Sequence, residues 1–300
     1  MITAVLSMTV LWCLFYGRIP VVALALLCVG LGLVFVVFGG HTHTQFLTID
    51  VFAQTSRLHV VNPSLKFWTV LTLIVLCIAA RNPAIGLLMT AVMLVVTVYF
   101  GGIKLRDYIS LMMLPVSFVL LSVLALLFEV TEQYTGVLGI PIFSCWIGVT
   151  SIAQTRAALV LSRALSAVSC LYFLSLTTPM VDLIGVLRRI RCPNVFIELM
   201  YLIYRYIFIL LSMYHNMCQA AKSRLGYTDY RTSMSTTGNI CANLLARSYL
   251  QANRNFDAME SRCYDAEIRF LENEKRITGL HASIAIILIA LNFIMLFMLR

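Results

Sequence analysis

Two short motifs, AKSRLGY at Ala221–Tyr227 and AMESRCY at Ala258–Tyr264, end the two strongest helical patterns of the chain. Both lie inside Pro179–Ile277, a charged stretch that holds thirteen of the 22 Lys and Arg residues. The sequence on either side of this stretch is mostly apolar. The contrast predicts a membrane protein with two long helices outside the bilayer, each ending in an arginine that can act on a soluble partner.

The composition excludes a soluble protein. The 300 residues are 61% hydrophobic and only 12% charged, with a mean hydropathy of +0.92. A water-soluble domain has no use for so much apolar surface, so the predicted fold class is all-α, a polytopic helical bundle in a membrane. The net charge of +9 indicates basic cytoplasmic loops rather than nucleic-acid binding, because positively charged loops resist translocation.

Seven apolar runs are predicted as membrane spans, and the positive-inside rule orients them. It places the N-terminus and the basic stretch in the cytoplasm, and it places the loop 129–150 and the C-terminus outside. Four segments result: an extra N-terminal hydrophobic hairpin (1–40), transmembrane helices (41–177), a cytoplasmic region (178–278) and a C-terminal transmembrane helix (279–300). We favour a hairpin over a cleaved signal peptide, because no Lys or Arg precedes the first run. The predicted spans are 2–16, 21–39, 67–80, 84–100, 109–128, 152–176 and 283–299.

Another apolar run, Val195–Met213, is predicted to lie along the inner membrane surface or under other helices. Basic residues flank it on both sides, and a crossing would put Arg205 at mid-bilayer at a cost of about 2.5–3.5 kcal/mol. A crossing helix is the alternative. Apolar residues recur in steps of three and four here and again after Asn243, which predicts that the two helices pack through these stripes. The stripes are Leu199, Leu202, Tyr206, Leu210, Met213, Met217 and Ala220 in the first helix, and Leu245, Tyr249, Ala252, Phe256, Met259 and Cys263 in the second.

Sequence signatures of catalysis are absent. The chain has no Walker A motif, no His-Glu-x-x-His and no paired Cys/His cluster, so we predict no enzymatic activity, no cofactor and no metal site. The nine cysteines are scattered without a C-x-x-C pair, and we interpret them as reduced apolar side chains. The segment His41–His43 holds the only close pair of histidines, which is either a transient metal contact or part of a solvated loop.

Each arginine motif sits where its helix is expected to end. Gly226 suits the C′ position of the first helix, and an arginine at a helix C-terminus is favourable by about 0.3–1 kcal/mol through the helix dipole. That role alone explains a single arginine. Two matched endings favour a second role, because guanidinium groups are suited to forked recognition of carboxylates on a partner.

These endings, with five other motifs, resemble the transmembrane T component of energy-coupling-factor (ECF) transporters, and within it the cobalt/nickel branch of CbiQ type. The resemblance covers about residues 46–272, and Ala266 departs from it because cobalt-type sequences commonly have Gly after Tyr-Asp. It implies long cytoplasmic coupling helices whose arginines, Arg224 and Arg262, dock into grooves on ATPases. The docking turns would also include Ser223, Gly226, Ser261 and Cys263. The five other motifs are Phe46–Asp50, Asn62–Lys66, Thr177–Pro179, Leu187–Pro193 and Tyr204–Tyr206.

The resemblance also implies partners and a role. Two ABC-type ATPases, a substrate-binding membrane (S) subunit and a small accessory membrane subunit would assemble with this chain in the plasma membrane. The chain would be the scaffold and energy-transducing subunit of an ATP-driven importer of cobalt or nickel for cobalamin biosynthesis, with the ion chosen by another subunit. Residues 1–40 would be an extra hairpin or a fused accessory subunit. The alternative function is a stand-alone carrier or channel with a cytoplasmic regulatory region.

Overall fold

The structure is a computed structural model that describes residues 9–10, 12, 45–131, 138–142, 145–265 and 279–298. The predicted hairpin 1–40 lies almost entirely outside the described residues, as do the histidine pair and Ala266. The chain forms two compact units. We call residues 1–179 with 275–300 the bundle, and residues 180–274 the arm.

Both units are built from helices. The arm consists of α6 (Met180–Arg189), α7 (Asn194–Ser223) and α8 (Tyr230–Glu260). The bundle contains α1 (Gln45–Thr55), a 3-10 turn (Arg57–Val60), α2 (Pro63–Ala79), α3 (Pro83–Val95), a π turn (Val96–Phe100), α4 (Leu105–Leu127), α5 (Ser151–Thr177) and α9 (Gly279–Met298).

The prediction of an all-α polytopic membrane protein is confirmed. Among the described residues, four helices are long and apolar enough to cross a bilayer. Three of them, with the shorter apolar helices α2 and α9, coincide with five of the seven predicted spans. Of the other two predicted spans, 21–39 lies outside the described residues, and 2–16 has only residues 9, 10 and 12 within them. The fourth long helix is α7, which contains the run Val195–Met213.

The loop 129–150 contains a small sheet that the sequence analysis did not predict. Its strands are β1 (Glu129–Thr131), β2 (Leu138–Ile142) and β3 (Cys145–Val149), and they pair antiparallel in the order β1-β3-β2. Ile147 of β3 stands opposite Val130 on one side and Ile140 on the other. Strands this short carry too little alternation to be recognised from a single sequence.

Helix α5 is the centre of the bundle and packs against α1, α2, α3 and α4. Its approach to α3 is close, because a Cβ built on Gly86 would lie 2.7 Å from the carbonyl oxygen of Ser162. Small residues at helix–helix contacts allow such approach between backbones in membranes. Gly86 therefore sets the distance between α3 and α5.

Two basic side chains join α5 to α2. Arg163 of α5 donates two hydrogen bonds, at 2.9 and 2.6 Å, to the carbonyl oxygen of Ala80 at the end of α2. Lys66 in the first turn of α2 is buried, and its ammonium donates to the carbonyl oxygen of Thr177 at 2.8 Å. The last carbonyl groups of a helix lack partners within it, so these contacts satisfy the ends of both helices.

In the arm, α7 and α8 lie antiparallel along their length. Three contacts, at both ends and near the middle of the pair, define the register. They show that the helices are antiparallel, because the residue numbers rise along α7 as they fall along α8. The contact pairs are Gly226 with Thr236, Tyr206 with Asn255, and Glu198 with Tyr264.

The face of α8 that meets α7 is not the face predicted from the sequence. Leu245, Tyr249 and Phe256 of the predicted stripe are 72%, 68% and 59% exposed, whereas Thr236 and Asn255 face α7. The prediction for α8 is wrong because apolar periodicity marks a face that avoids water without saying which neighbour covers it. In α7, five of the seven stripe residues are half-buried as predicted, and the first and last are exposed.

Candidate docking site

The first arginine motif ends α7 in a Schellman turn. The amide of Gly226 donates to the carbonyl of Ala221 at 2.9 Å, and the amide of Leu225 donates to the carbonyl of Lys222 at 3.1 Å. This pair of bonds defines the motif, in which the C′ residue adopts a left-handed conformation. That residue is Leu225, with φ of 58°. Arg224 directly precedes it, at the point where the helix stops.

The second arginine motif forms the same turn at the end of α8. The amide of Tyr264 donates to the carbonyl of Met259 at 3.1 Å, and the amide of Cys263 donates to the carbonyl of Glu260 at 3.0 Å. The left-handed residue is Cys263, again with φ of 58°. Arg262 therefore occupies the same position in its turn as Arg224 does in the first. The match predicted from the two motifs extends to their backbone geometry.

Gly226 occupies the C″ position and not the C′ position predicted for it. Its φ is not in the left-handed region, so conformational freedom is not what calls for glycine here. A Cβ at this position would lie 3.0 Å from the carbonyl oxygen of Ala221 and 3.1 Å from the side chain of Thr236. Glycine therefore lets the turn pack closely against α8, and Leu225 adopts the strained conformation instead.

Both arginines are presented to solvent. Arg224 and Arg262 are exposed, and within the described part of the chain neither guanidinium forms a hydrogen bond or an ion pair. Leu225 beside the first arginine is 71% exposed. Each turn thus presents a free, planar cation with up to five hydrogen-bond donors, which can form forked contacts with carboxylates.

The other predicted docking residues have local roles in the two turns. The hydroxyl of Ser223 donates to the carbonyl of Gln219 at 3.1 Å, and that of Ser261 donates to the carbonyl of Ala258 at 3.0 Å. Each serine therefore uses its hydrogen in its own helix, although its oxygen can still accept a bond. Cys263 is an exposed free thiol.

The two turns lie at opposite ends of the α7/α8 pair. The first is beside the start of α8, whereas Tyr264 of the second contacts Glu198 near the start of α7. The 26 residues from Glu198 to Arg224 correspond to about 39 Å at 1.5 Å per residue. One small groove cannot accept both arginines at once, so the arrangement suits two separate binding sites.

A third turn of this kind ends α6, and the sequence analysis missed it. The amide of Cys192 donates to the carbonyl of Leu187 at 3.3 Å, and that of Arg191 donates to the carbonyl of Arg188 at 3.1 Å. Arg191 is itself the left-handed residue, with φ of 63°. Pro193 directly after it was an available signal, because proline is common just beyond such turns. Among the described residues, the non-glycine residues with positive φ are Arg191, Leu225 and Cys263.

A tyrosine lies shortly after each of the two predicted docking arginines and bonds back to α7. The phenol of Tyr227 donates to the thiol of Cys218 at 3.8 Å, and the phenol of Tyr264 donates to the carboxylate of Glu198 at 2.9 Å. The hydrogen bond to this carboxylate raises the pKa of Tyr264, because ionisation of the phenol would break the bond and oppose two negative charges. A tyrosine with its ordinary pKa of 10.0 is already protonated at neutral pH, so the phenol can donate this bond there.

No group of three or more His, Cys, Asp or Glu side chains within the described ranges could hold a metal ion. Cys77 and Cys170 are buried free thiols inside the bundle, where they are part of an apolar cluster.

Comparison with known proteins finds matches to one family of transport proteins. The family model described as CbiQ, cobalt transport protein, matches residues 54–271. A putative fused cobalt transport protein, CbiMQ, of Methanocorpusculum labreanum is 31% identical over 258 residues, which cover 85% of this chain and 43% of that protein. The chain therefore spans less than half the length of this fused relative.

Two further relatives are covered over most of their length. An uncharacterized protein of Methanocaldococcus jannaschii is 30% identical over 226 residues, covering 75% of this chain and 83% of that protein. The cobalt transport protein CbiQ of Rhodobacter capsulatus is 30% identical over 186 residues, covering 62% and 71%.

Proposed function

The chain belongs to the CbiQ cobalt transport protein family, and we propose that it is the scaffold and energy-transducing subunit of an ATP-driven ECF importer of cobalt or nickel ions. The family is one of transport proteins rather than of enzymes. In the proposed assembly the bundle is held in the plasma membrane, and the arm receives two cytoplasmic ABC-type ATPases. Movement of the ATPases is passed to the membrane through the arm.

The observation that carries this proposal is the pair of arginine turns with matching backbone geometry. Each turn presents an exposed guanidinium without a partner among the described residues, and the turns lie about 39 Å apart on one helix pair. Two soluble subunits of a dimer can each receive one arginine at that separation. A role limited to the helix dipole would not require the two turns to match.

A membrane partner is the second part of the proposal. The relative from Methanocorpusculum labreanum is named as a fusion of CbiM and CbiQ, and this chain covers 43% of it. We assign binding and choice of the metal ion to a separate substrate-binding membrane (S) subunit. A small accessory membrane subunit completes the assembly, unless residues 1–40 take its place.

The third part concerns the side of the membrane on which the arm lies. Residues 178–278 are assigned to the cytoplasm, including α7, although α7 is long and apolar enough to cross. The pairing of α7 with α8 supports this assignment. If α7 crossed the bilayer, it would carry the exposed Arg247 and Arg254 of α8 into hydrocarbon, at roughly 2.5–3.5 kcal/mol each.

Site-directed labelling tests the topology. In a variant without the nine natural cysteines, single cysteines at positions 194 and 228 mark the two ends of α7. Both are expected to react with a membrane-impermeant maleimide only when the cytoplasmic side is accessible. Labelling of the two ends from opposite sides would mean that α7 crosses and that this part of the proposal is wrong.

Charge reversal tests the docking role. Arg224→Glu, Arg262→Glu and the double variant are compared with Arg247→Glu, which makes the same charge change on an exposed position in the middle of α8. A charge-assisted hydrogen bond contributes about 1.5–3 kcal/mol, so each docking variant is expected to weaken ATPase binding by about tenfold or more. The double variant is expected to lose more than either single one, because two linked contacts act bivalently.

The readouts are co-purification of the ATPases from detergent extracts and cobalt uptake by cells, both normalised to the amount of the chain in the membrane. The control variant is expected to keep both. If the double variant still transports cobalt without bound ATPases, the stand-alone carrier is the correct function. If it keeps normal ATPase binding, the arginines act only on their own helices.

A further inference from the structure

The two arginine turns are held in place by different means. The first lies in the short connection between α7 and α8, so a helix fixes the chain on both sides of it. The second follows the end of α8. Beyond Arg262, the described chain is tied to α7 by the hydrogen bond from the phenol of Tyr264 to the carboxylate of Glu198, at 2.9 Å.

The second turn needs such a tie because its backbone is strained. Cys263 adopts φ of 58° without being glycine, and such residues persist only where surrounding contacts over-determine them. The side chain of Cys263 is exposed and does not supply that support by burial. Tyr264 is half-buried and directly follows it, so its bond to α7 constrains the strained residue from the next position along the chain.

Glu198 is a suitable anchor for this bond. It lies in the second turn of α7, within an ordered helix, and only 9% of its surface is exposed. A carboxylate at such a position keeps a single orientation more readily than one in solvent, because its neighbours limit its rotamers. The distance from this anchor to Arg262 is also short, since Tyr264 is two residues from the arginine.

We propose that Tyr264 and Glu198 are positioning residues, which hold the second arginine turn against α7 so that Arg262 is presented to its ATPase. This inference rests on the proposed docking function. It assigns neither residue a contact with the ATPase. Their effect passes through Arg262 alone, and the first turn does not depend on them.

Because only the second turn depends on Tyr264 and Glu198, double variants can test the inference. Tyr264→Phe removes the hydroxyl and keeps the ring. Combined with Arg224→Glu, which leaves only the second turn able to dock, it is expected to lower ATPase co-purification by about fivefold, within the range for residues that act through a neighbour. Combined with Arg262→Glu, which has already disabled the second turn, it is expected to cause no further loss.

Two further variants complete the test in the Arg224→Glu background. Glu198→Gln keeps an oxygen that can accept the phenol bond, so it is expected to retain more ATPase binding than Glu198→Leu does. Tyr249→Phe makes the same chemical change as Tyr264→Phe at a tyrosine that is 68% exposed, and it is expected to have no effect. Membrane abundance and thermal midpoint of each variant are measured in parallel.

The outcomes are distinct. Equal losses from Tyr264→Phe in both arginine backgrounds would indicate general damage to the arm and would overturn the inference. No loss in the Arg224→Glu background would overturn it as well. If neither arginine variant lowers ATPase binding, the docking function itself fails, and this result is read from the single variants before Tyr264 is changed.

Discussion

Replacement of Gly86 by alanine tests the packing that organises the bundle. The added Cβ would lie 2.7 Å from the carbonyl oxygen, 2.8 Å from the carbonyl carbon and 3.0 Å from the Cβ of Ser162. Carbon atoms in good contact are about 3.5–4.0 Å apart, so α3 and α5 would have to separate by several tenths of an ångström. Overpacking of this kind costs about 1–3 kcal/mol.

Alanine also has a favourable effect, which must be subtracted. Replacing glycine inside a helix gains about 0.5–1 kcal/mol from backbone entropy. With the middle of each range, a cost of about 2 kcal/mol less a gain of about 0.75 kcal/mol, the net destabilisation expected for Gly86→Ala is about 1 kcal/mol. A loss of that size lowers the thermal midpoint by about 2–4 °C for a chain of this size. Circular dichroism of the detergent-solubilised protein measures it.

Gly238 provides the matched control. It lies inside α8, and a Cβ there would meet nothing within 4 Å, so Gly238→Ala is expected to stabilise its helix. Ser162→Gly is not expected to rescue Gly86→Ala, because the closest contact is with the backbone of residue 162. A midpoint that is unchanged or higher in Gly86→Ala would refute the close approach of α3 to α5.

Three further outcomes are expected. Lys66→Met, which removes the buried bond to the carbonyl of Thr177, is expected to destabilise the bundle by about 1–3 kcal/mol in thermal unfolding, whereas Lys104→Met at an exposed position is expected to have little effect. Absorbance titration is expected to show that Tyr264 ionises above the ordinary pKa of 10.0 and that Glu198→Gln lowers this pKa. Because the raised pKa belongs to the folded state, the bond stabilises the fold fully below about pH 10, and this stabilisation is lost only as pH rises through the raised pKa. A titration that Glu198→Gln leaves unchanged would argue against the contact. Changing both arginines to lysine is expected to weaken ATPase binding less than changing both to glutamate, since lysine keeps the positive charge but loses the forked hydrogen bonds of the guanidinium. Equal losses in the two double variants would show that keeping the positive charge does not preserve any binding.

The helices of the bundle could be predicted from the sequence because they depend on run length. The predicted spans 84–100, 109–128 and 152–176 each fall on a long apolar helix, since a bilayer imposes a minimum length that few soluble helices reach. The sheet in the loop 129–150 could not be predicted in the same way. Its strands have at most five residues each, and their pairing depends on contacts distant in sequence.

The geometry of the two arginine turns could be predicted in part. The shared Ser-Arg pair at two helix ends indicated matched sites, and the structure shows the same hydrogen bonds in both. The sequence did not indicate that Leu225 would be left-handed beside an available glycine, because the position of Gly226 is set by its approach to Thr236 in another helix. The bond between Tyr264 and Glu198 was not predictable either, since 66 residues separate its partners.

The central claim is that two arginine turns on one arm each contact a separate ATPase. Photo-crosslinking from the residue after each arginine tests it most directly, because Leu225 is 71% exposed and Cys263 is exposed as well. With benzoyl-phenylalanine at both positions in the assembled transporter, the account predicts a product in which one copy of this chain is joined to two ATPase chains, and single ATPase adducts from each position alone. Crosslinks that reach only membrane subunits or lipid, with no ATPase adduct from either turn, would contradict it.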